Sequence, residues 1–146
     1  MKKIALGSDH AGYKLKERIK HHLEFRGYVA VDYGTDSEKS VDYPDYIRPA
    51  AESVARGEND LGIVFGGSGN GEAMVANKVK GIRCGLCWNE KSARLAKEHN
   101  NANMIALGER MLTEEKAVKI VDAWLNAEFQ GGRHLRRIEK IEILKF

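Results

Sequence analysis

The feature that most constrains the fold of this chain is a regular alternation of short apolar runs with longer amphipathic stretches. The apolar runs have the length of strands, and the amphipathic stretches repeat apolar residues at helical spacing, as Leu15, Ile19 and Leu23 do. Strands that alternate with helices are typical of a parallel sheet with helices on both faces. The sequence therefore predicts an α/β fold, a three-layer sandwich around a five-stranded parallel sheet.

Glycines, prolines and capping residues set the expected limits of the helices and strands. The predicted strands are Lys3–Gly7, Tyr28–Tyr33, Leu61–Phe65, Ile82–Trp88 and Met104–Leu107. The predicted helices cover about 11–26, 45–56, 72–78 and 92–99, a fifth begins after Thr113, and a sixth begins near Arg133. Thr113 is a suitable N-cap, since its hydroxyl can accept a bond from a free amide of the first turn. The sixth helix follows the last strand and has an apolar stripe, so we expect it to pack on a second subunit.

Length and composition narrow the class of protein. A chain of 146 residues with 42% hydrophobic residues suits a single domain over 1–146. No apolar run approaches the ~20 residues that span a bilayer, and Ser8-Asp9-His10 ends the first run too early for a signal peptide. We therefore expect a cytoplasmic protein without a membrane partner. The net charge of +3 is spread along the chain, which does not favour nucleic acid as a partner.

Cys84 and Cys87 form a C-x-x-C pattern, which can indicate a redox or zinc site. The chain has no second pair of cysteines, and the segment 82–88 is predicted to be a buried strand. Residues three apart on a strand point to opposite faces of the sheet. We therefore expect two small core residues, and a redox protein remains an alternative.

The strongest local signal is the glycine-rich segment Gly66–Gly71, which lies between a predicted strand and a predicted helix. Such a loop lets the backbone approach a ligand and presents free amides to an anion at the carboxyl edge of the sheet. Its spacing fits neither the dinucleotide nor the P-loop pattern. Glu72 follows in the first helical turn, where the helix dipole favours an ionised carboxylate that could act as a base. A plain tight turn and simple dipole complementation are the alternatives.

Further polar residues stand at predicted element ends. Asp9 and His10 follow the first strand, where Asp9 could be only an N-cap. His99 and Asn100 end the fourth predicted helix, where a histidine also suits the dipole. Arginines 133, 136 and 137 cluster at a helix start, and Arg133 and Arg137 share a face. A bound dianion would relieve their repulsion, and a solvated basic face is the alternative.

Together these segments resemble the ribose-5-phosphate isomerase B family, which also includes allose- and galactose-6-phosphate isomerases. The resemblance covers nearly the whole chain. It rests on Gly7-Ser8-Asp9-His10-Ala11-Gly12, Asp42-Tyr43-Pro44-Asp45-Tyr46, the glycine loop, Ala76-Asn77-Lys78, Gly81-Ile82-Arg83, His99-Asn100, and Gly131-Gly132-Arg133-His134 with Arg137.

The resemblance implies a Rossmann-like homodimer with active sites shared between subunits and without a metal or cofactor. It leaves open whether dimers pair into tetramers. It assigns sugar contact and help with ring opening to Asp9 and His10, and proton donation to His99, which is a further candidate for ring opening. The other implied substrate contacts are Gly67, Ser68, Gly69, Asn70, Gly71, Asn100, Arg110, Arg133 and Arg137.

The chain departs from the commoner family pattern at one position. Many members have a cysteine base where this chain has Gly66. Another branch has a glutamate just past the loop, and the present string resembles that branch, so Glu72 is the expected base. The expected reaction interconverts ribose 5-phosphate and ribulose 5-phosphate through an enediolate. Allose 6-phosphate or galactose 6-phosphate as substrate, and a non-catalytic sugar-phosphate-binding module, are the alternatives.

Overall fold

A computed structural model of the protein describes residues 2–142, so Met1 and residues 143–146 of the predicted 1–146 domain lie outside the described part. The strands are β1 (Lys3–Ser8), β2 (Val29–Asp32), β3 (Leu61–Gly66), β4 (Cys84–Leu86) and β5 (Met104–Gly108). The helices are α1 (Tyr13–Phe25), α2 (Pro44–Ala55), α3 (Asn70–Asn77), α4 (Glu90–Asn100), α5 (Glu114–Asn126) and α6 (Arg133–Glu142). Short 3₁₀ turns, His10–Gly12 and Glu109–Met111, follow β1 and β5.

The five strands form one parallel sheet in the order β2-β1-β3-β5-β4. The chain moves outward from β1 to β2 and then returns past β1 to β3. The direction in which successive strands are added across the sheet therefore reverses between β1 and β3. Sheets of this α/β type bind ligands at the carboxyl ends of the strands at such a switch point. The predicted parallel sheet of five strands is confirmed.

The core has two layers, one on each face of the sheet. Alternate residues of a strand face opposite sides, so Phe65 packs with α1, α4 and α5 whereas Val64 packs with α2 and α3. Trp124 of α5 is the largest fully buried side chain. The predicted three-layer sandwich is confirmed.

The largest difference from the predicted elements is in β4, which has three residues rather than the seven of 82–88. Within residues 2–142, β4 is an edge strand that pairs only with β5, and Asn89 already caps α4 by accepting a bond from the Ser92 amide. Trp88 is therefore exposed beyond the end of the strand. Cys84 and Cys87 lie in the two different core layers as free cysteines, as the strand spacing predicts.

Helix α6 packs on α4 of its own chain, where the ring of His134 contacts the ring of His99, and Ile138 of α6 is also buried. Two other apolar residues of its stripe, Leu135 and Ile141, stay 49% and 61% exposed. One residue of the stripe, Ile138, is thus buried within the chain, and the other two are available to another surface. Within residues 2–142, no helix is long and apolar enough to cross a membrane.

Candidate active site

The glycine loop turns sharply between β3 and α3. Gly69, with φ of +87°, is the residue before the first turn of α3 and takes the left-handed conformation that favours glycine. A β-carbon on Gly67 would lie 2.9 Å from a guanidinium nitrogen of Arg110. The backbone amide of Arg110 also donates to the Gly67 carbonyl at 3.0 Å. The structure therefore brings the loop and Arg110 together at the carboxyl edge of the sheet.

Glu72 is 4% exposed and turns its side chain back toward the end of β3. A β-carbon on Gly66 would overlap the Glu72 carboxylate, so the carboxylate lies directly over Gly66. Burial raises the pKa of Glu72, the charge of Asp9 raises it further, and the amides of Glu72 and Gly69 act in the opposite direction. The helix dipole alone predicts an easily ionised acid, which is wrong for this side chain because burial dominates. A carboxylate with a raised pKa is a better base once ionised.

Asp9 and His10 stand at the end of β1, on the other side of the switch point. Asp9 is buried and accepts a bond from the Gly12 amide at 3.0 Å, so it caps the 3₁₀ turn. The Val41 amide donates to Nδ1 of His10 at 3.1 Å. That bond leaves Nε2 of a neutral His10 as a proton-bearing donor. Capping and substrate contact are thus compatible for this pair.

Two residues that the sequence reasoning did not single out support this edge. Oε1 of Glu109 accepts a bond from the Leu15 amide at 2.7 Å and so ties the start of α1 to the turn that carries Arg110. The phenol of Tyr43 lies against Gly71, where an added β-carbon would be 2.8 Å from the hydroxyl. Tyr43 belongs to one of the motifs behind the family resemblance, whereas Glu109 has no local signal.

A second group of predicted residues meets where α4 ends and α6 begins. The rings of His99 and His134 stack with centroids 4.3 Å apart and planes inclined by 13°. Arg133 and Arg137 lie on the same helix as His134. The Arg83 guanidinium donates to the carbonyls of Asn100 and Asn101 and to the carboxylate of Glu142, which joins the two helices.

The two groups lie at opposite ends of the parallel strands, one at the amino edge and one at the carboxyl edge of the sheet. Arg83 immediately precedes β4 and contacts Asn100, so the end of α4 lies at the amino edge, whereas the glycine loop follows β3 at the carboxyl edge. Five residues of strand at 3.3 Å each separate these edges by about 16 Å. One chain therefore brings together Asp9, the glycine loop with Glu72, and Arg110, but it does not bring His99 and Arg133 to them.

The cysteines belong to neither group. Burial raises the pKa of both thiols, that of Cys87 to about 12, so the reactive thiolate is suppressed. In the described part of the chain, no three His, Cys, Asp or Glu side chains are grouped so that they could hold a metal ion.

Comparisons of the sequence and the fold with known proteins point to one class of enzyme. The family model described as Ribose/Galactose Isomerase matches residues 4–141. Ribose-5-phosphate isomerase B of Escherichia coli is 46% identical over 145 residues, which are 99% of this chain and 97% of the relative. The structure of the Clostridium thermocellum ribose-5-phosphate isomerase B is 53% identical, with a TM-score of 0.95, over 96% of this chain and 95% of that one.

A further solved relative contains a ligand. Ribose-5-phosphate isomerase B of Mycoplasma genitalium, with bound ribulose-5-phosphate, is 44% identical with a TM-score of 0.92, over 96% of this chain and 93% of that one. The fold and these matches define an aldose–ketose isomerase. The chain belongs to the ribose/galactose isomerase family.

Proposed function

We propose that the chain interconverts ribose 5-phosphate and ribulose 5-phosphate through an enediolate, with Glu72 as the base. The observation that carries this proposal is the buried Glu72 carboxylate, which lies over Gly66 beside a loop of glycines. The bound ribulose-5-phosphate of the Mycoplasma genitalium relative supports the choice of substrate.

The proposed reaction moves one carbon-bound and one oxygen-bound proton. Asp9 and His10 assist ring opening, since both stand beside the loop at the switch point. Glu72 removes the proton from C2 and returns it to C1, while His99 donates a proton to O1 and takes back the proton that O2 loses. Backbone amides of residues 67–71 hold the enediolate oxygen. In other enzymes such donors stabilise the transition state by roughly a few kcal/mol.

We propose that the active site is shared between two chains of a homodimer. The separation of about 16 Å between the two edges, from the rise per strand residue, supports this arrangement because His99 could reach Glu72 only from another chain. Exposed apolar side chains near the edge strand β4 offer a surface that a second copy would bury. They are Trp88, Met111 and Ile141, which line hollows together with β4 residues, and Met74 of α3 and Leu135 of α6 are exposed as well.

In such a dimer each site combines two sources of positive charge. Arg110 would come from the chain that supplies Glu72, and Arg133 and Arg137 from the partner, where they bind the phosphate bidentately. Ser68, Asn70 and Asn100 would complete the polar contacts. We also propose a cytoplasmic location, because two free cysteines are compatible with a reducing compartment.

An isomerase assay on Glu72→Gln beside wild type tests the base. We expect turnover to fall at least ~10²-fold, the usual scale of acid–base catalysis, while inorganic phosphate still binds. Solvent deuterium should enter at C2 with wild type and not with the variant. Near-normal turnover of Glu72→Gln would contradict the assignment, and tight binding without exchange in wild type would favour a binding module.

Mixing two inactive variants tests the shared site. Glu72→Gln and Arg137→Ala should each be inactive alone, because each damages both sites of its homodimer. After subunit exchange, half of the dimers are mixed and have one intact site, so about a quarter of wild-type activity should return. Native mass spectrometry verifies the exchange, and mixed dimers without recovered activity would contradict a shared site.

The description of the matching family model names galactose as well as ribose, so six-carbon substrates remain a second candidate. A pocket for a six-carbon phosphate must hold one further CHOH group. Relative kcat/KM values on ribose 5-phosphate, allose 6-phosphate and galactose 6-phosphate distinguish the two, and a higher value on a six-carbon phosphate would replace the first assignment.

A further inference from the structure

The stacked pair of His99 and His134 has a geometry that the proposed chemistry does not by itself require. The two rings are nearly parallel at 4.3 Å, and His134 is buried between α4 and α6. We propose that His134 is a positioning residue that fixes the ring plane of His99. This inference rests on the proposed function, in which His99 is the proton donor.

The backbone on both sides of the stack is tied down. Arg83 donates to the Asn100 carbonyl at 3.0 Å and to the Glu142 carboxylate at 2.7 Å, so one guanidinium holds the end of α4 and the end of α6. The Gln130 amide donates to the Glu98 carbonyl at 3.0 Å, which anchors the segment leading into α6. His134 therefore meets His99 from a fixed position.

The stack restricts a torsion that is otherwise soft. The ring torsion of histidine is broad and roughly two-fold, because it joins a tetrahedral carbon to a planar ring. A ring N–H donates along a direction in the ring plane, and hydrogen bonds weaken steeply as that direction is lost. A flat neighbour at stacking distance removes most ring orientations and keeps those in which the donor points along the stack plane.

The charges around His134 favour a neutral stacking partner. Burial lowers the pKa of His134, and the neighbouring His99, Arg133 and Arg137 lower it further. A neutral imidazole offers its face to His99 without adding a third positive charge beside the two arginines. Leucine could fill the same space but has no flat face, which makes it the informative substitution.

The experiment compares His134→Phe with His134→Leu. Phe keeps a flat ring, so we expect kcat within about twofold of wild type, whereas Leu should lower kcat about tenfold at nearly constant KM, since misalignment affects the proton transfer more than binding. If His134→Leu does not fold, His134→Gln replaces it with the same expected loss. Full activity of the variant without a ring, equal losses in Phe and Leu, or a change confined to KM would overturn the proposal.

A second pair of measurements separates this inference from the proposed function. His99→Asn should itself be strongly impaired, and adding His134→Leu to it should cause no further loss, because the stack acts only through His99. Active His99→Asn would overturn the donor role of His99. Inactive His99→Asn beside fully active His134→Leu would overturn only the positioning role. In NMR spectra, His134→Leu should also abolish the ring-current shift of the His99 ring protons, and an unchanged shift would contradict the stack.

Discussion

The carboxylate of Glu72 occupies the space in which any residue other than glycine at position 66 would place its β-carbon. The proposed base and the glycine therefore form one structural unit, although they stand six positions apart. The side chain of a cysteine at position 66 would compete for the same space. This overlap gives a physical reason why the chain combines Gly66 with Glu72.

Gly66→Ala should disable the site while leaving the fold intact. The added methyl group displaces the carboxylate, which is the end of a side chain that can rotate away, so we expect turnover to fall ~10²-fold, as in loss of a general base. Gly85→Ala is the control, since its β-carbon would meet Cβ of Ala96 at 3.2 Å, away from Glu72. Steady-state kinetics and melting temperatures test both. Wild-type turnover of Gly66→Ala would contradict the placement of the carboxylate.

Glu72→Gln should make the protein more stable at neutral pH. The folded-state pKa of Glu72 lies above its ordinary value of 4.5, because burial penalises the charged form. The folded state therefore holds the proton more tightly, and stability falls as pH rises from 4.5 through the raised value. Glutamine removes this cost, so its advantage in melting temperature at pH 7 should shrink as pH approaches 4.5. An advantage that does not depend on pH would contradict a raised pKa.

The fold was predictable from the sequence because its signals are local. Leu15, Ile19 and Leu23 report a helical face wherever the helix lies, and Thr113 caps α5 by accepting the Lys116 amide at 3.1 Å, as predicted. The fourth strand was predicted too long because β4 lies at the sheet edge, where pairing with a single neighbour ends after Leu86. Apolar character alone does not report how many partners a strand has.

The site was predictable only as a set of residue types. The roles of Glu109 and Arg83 arise from hydrogen bonds to backbone groups of distant segments, and Glu109 meets Leu15 across 94 positions. No spacing rule within one sequence indicates such a contact. The separation of His99 from Glu72 also follows from the direction of α4, which returns the chain to the amino edge of the sheet.

The ion pair of Lys16 and Asp32 should contribute strongly to stability. Lys16 is fully buried and places Nζ 2.7 Å from Asp32 and 2.9 Å from Glu17. Asp32→Asn leaves the buried lysine with Glu17 as its charged partner, and the Asp32 side chain is itself 24% exposed, so we expect a loss of about 2 kcal/mol, less than for a fully buried pair. Urea unfolding measures the loss, and Lys16→Met/Asp32→Leu should recover part of it. A loss below about 1 kcal/mol, the level of a surface pair, would contradict burial of the charge.

Acid should weaken the same pair. Burial raises the pKa of Asp32, but hydrogen bonds from Lys16 and from the Gly34 amide outweigh it, so the net pKa lies below its ordinary value of 3.8. The stabilisation is therefore present above pH 3.8 and is lost as pH falls through the lowered value. The difference between wild type and Asp32→Asn should narrow below pH 3.8, and a constant difference would contradict this linkage.

The thiols should be inert in the folded protein. With the pKa of Cys87 raised to about 12 by burial, the thiolate fraction at pH 8 is on the order of 10⁻⁴, and Cys84 is shifted in the same direction. Iodoacetamide should therefore leave both cysteines unmodified in native protein and should alkylate both in guanidinium chloride, as intact mass spectrometry would show. Isomerase activity should survive the native treatment. Rapid native alkylation with loss of activity would instead favour a redox role, because only an accessible thiolate reacts in that way.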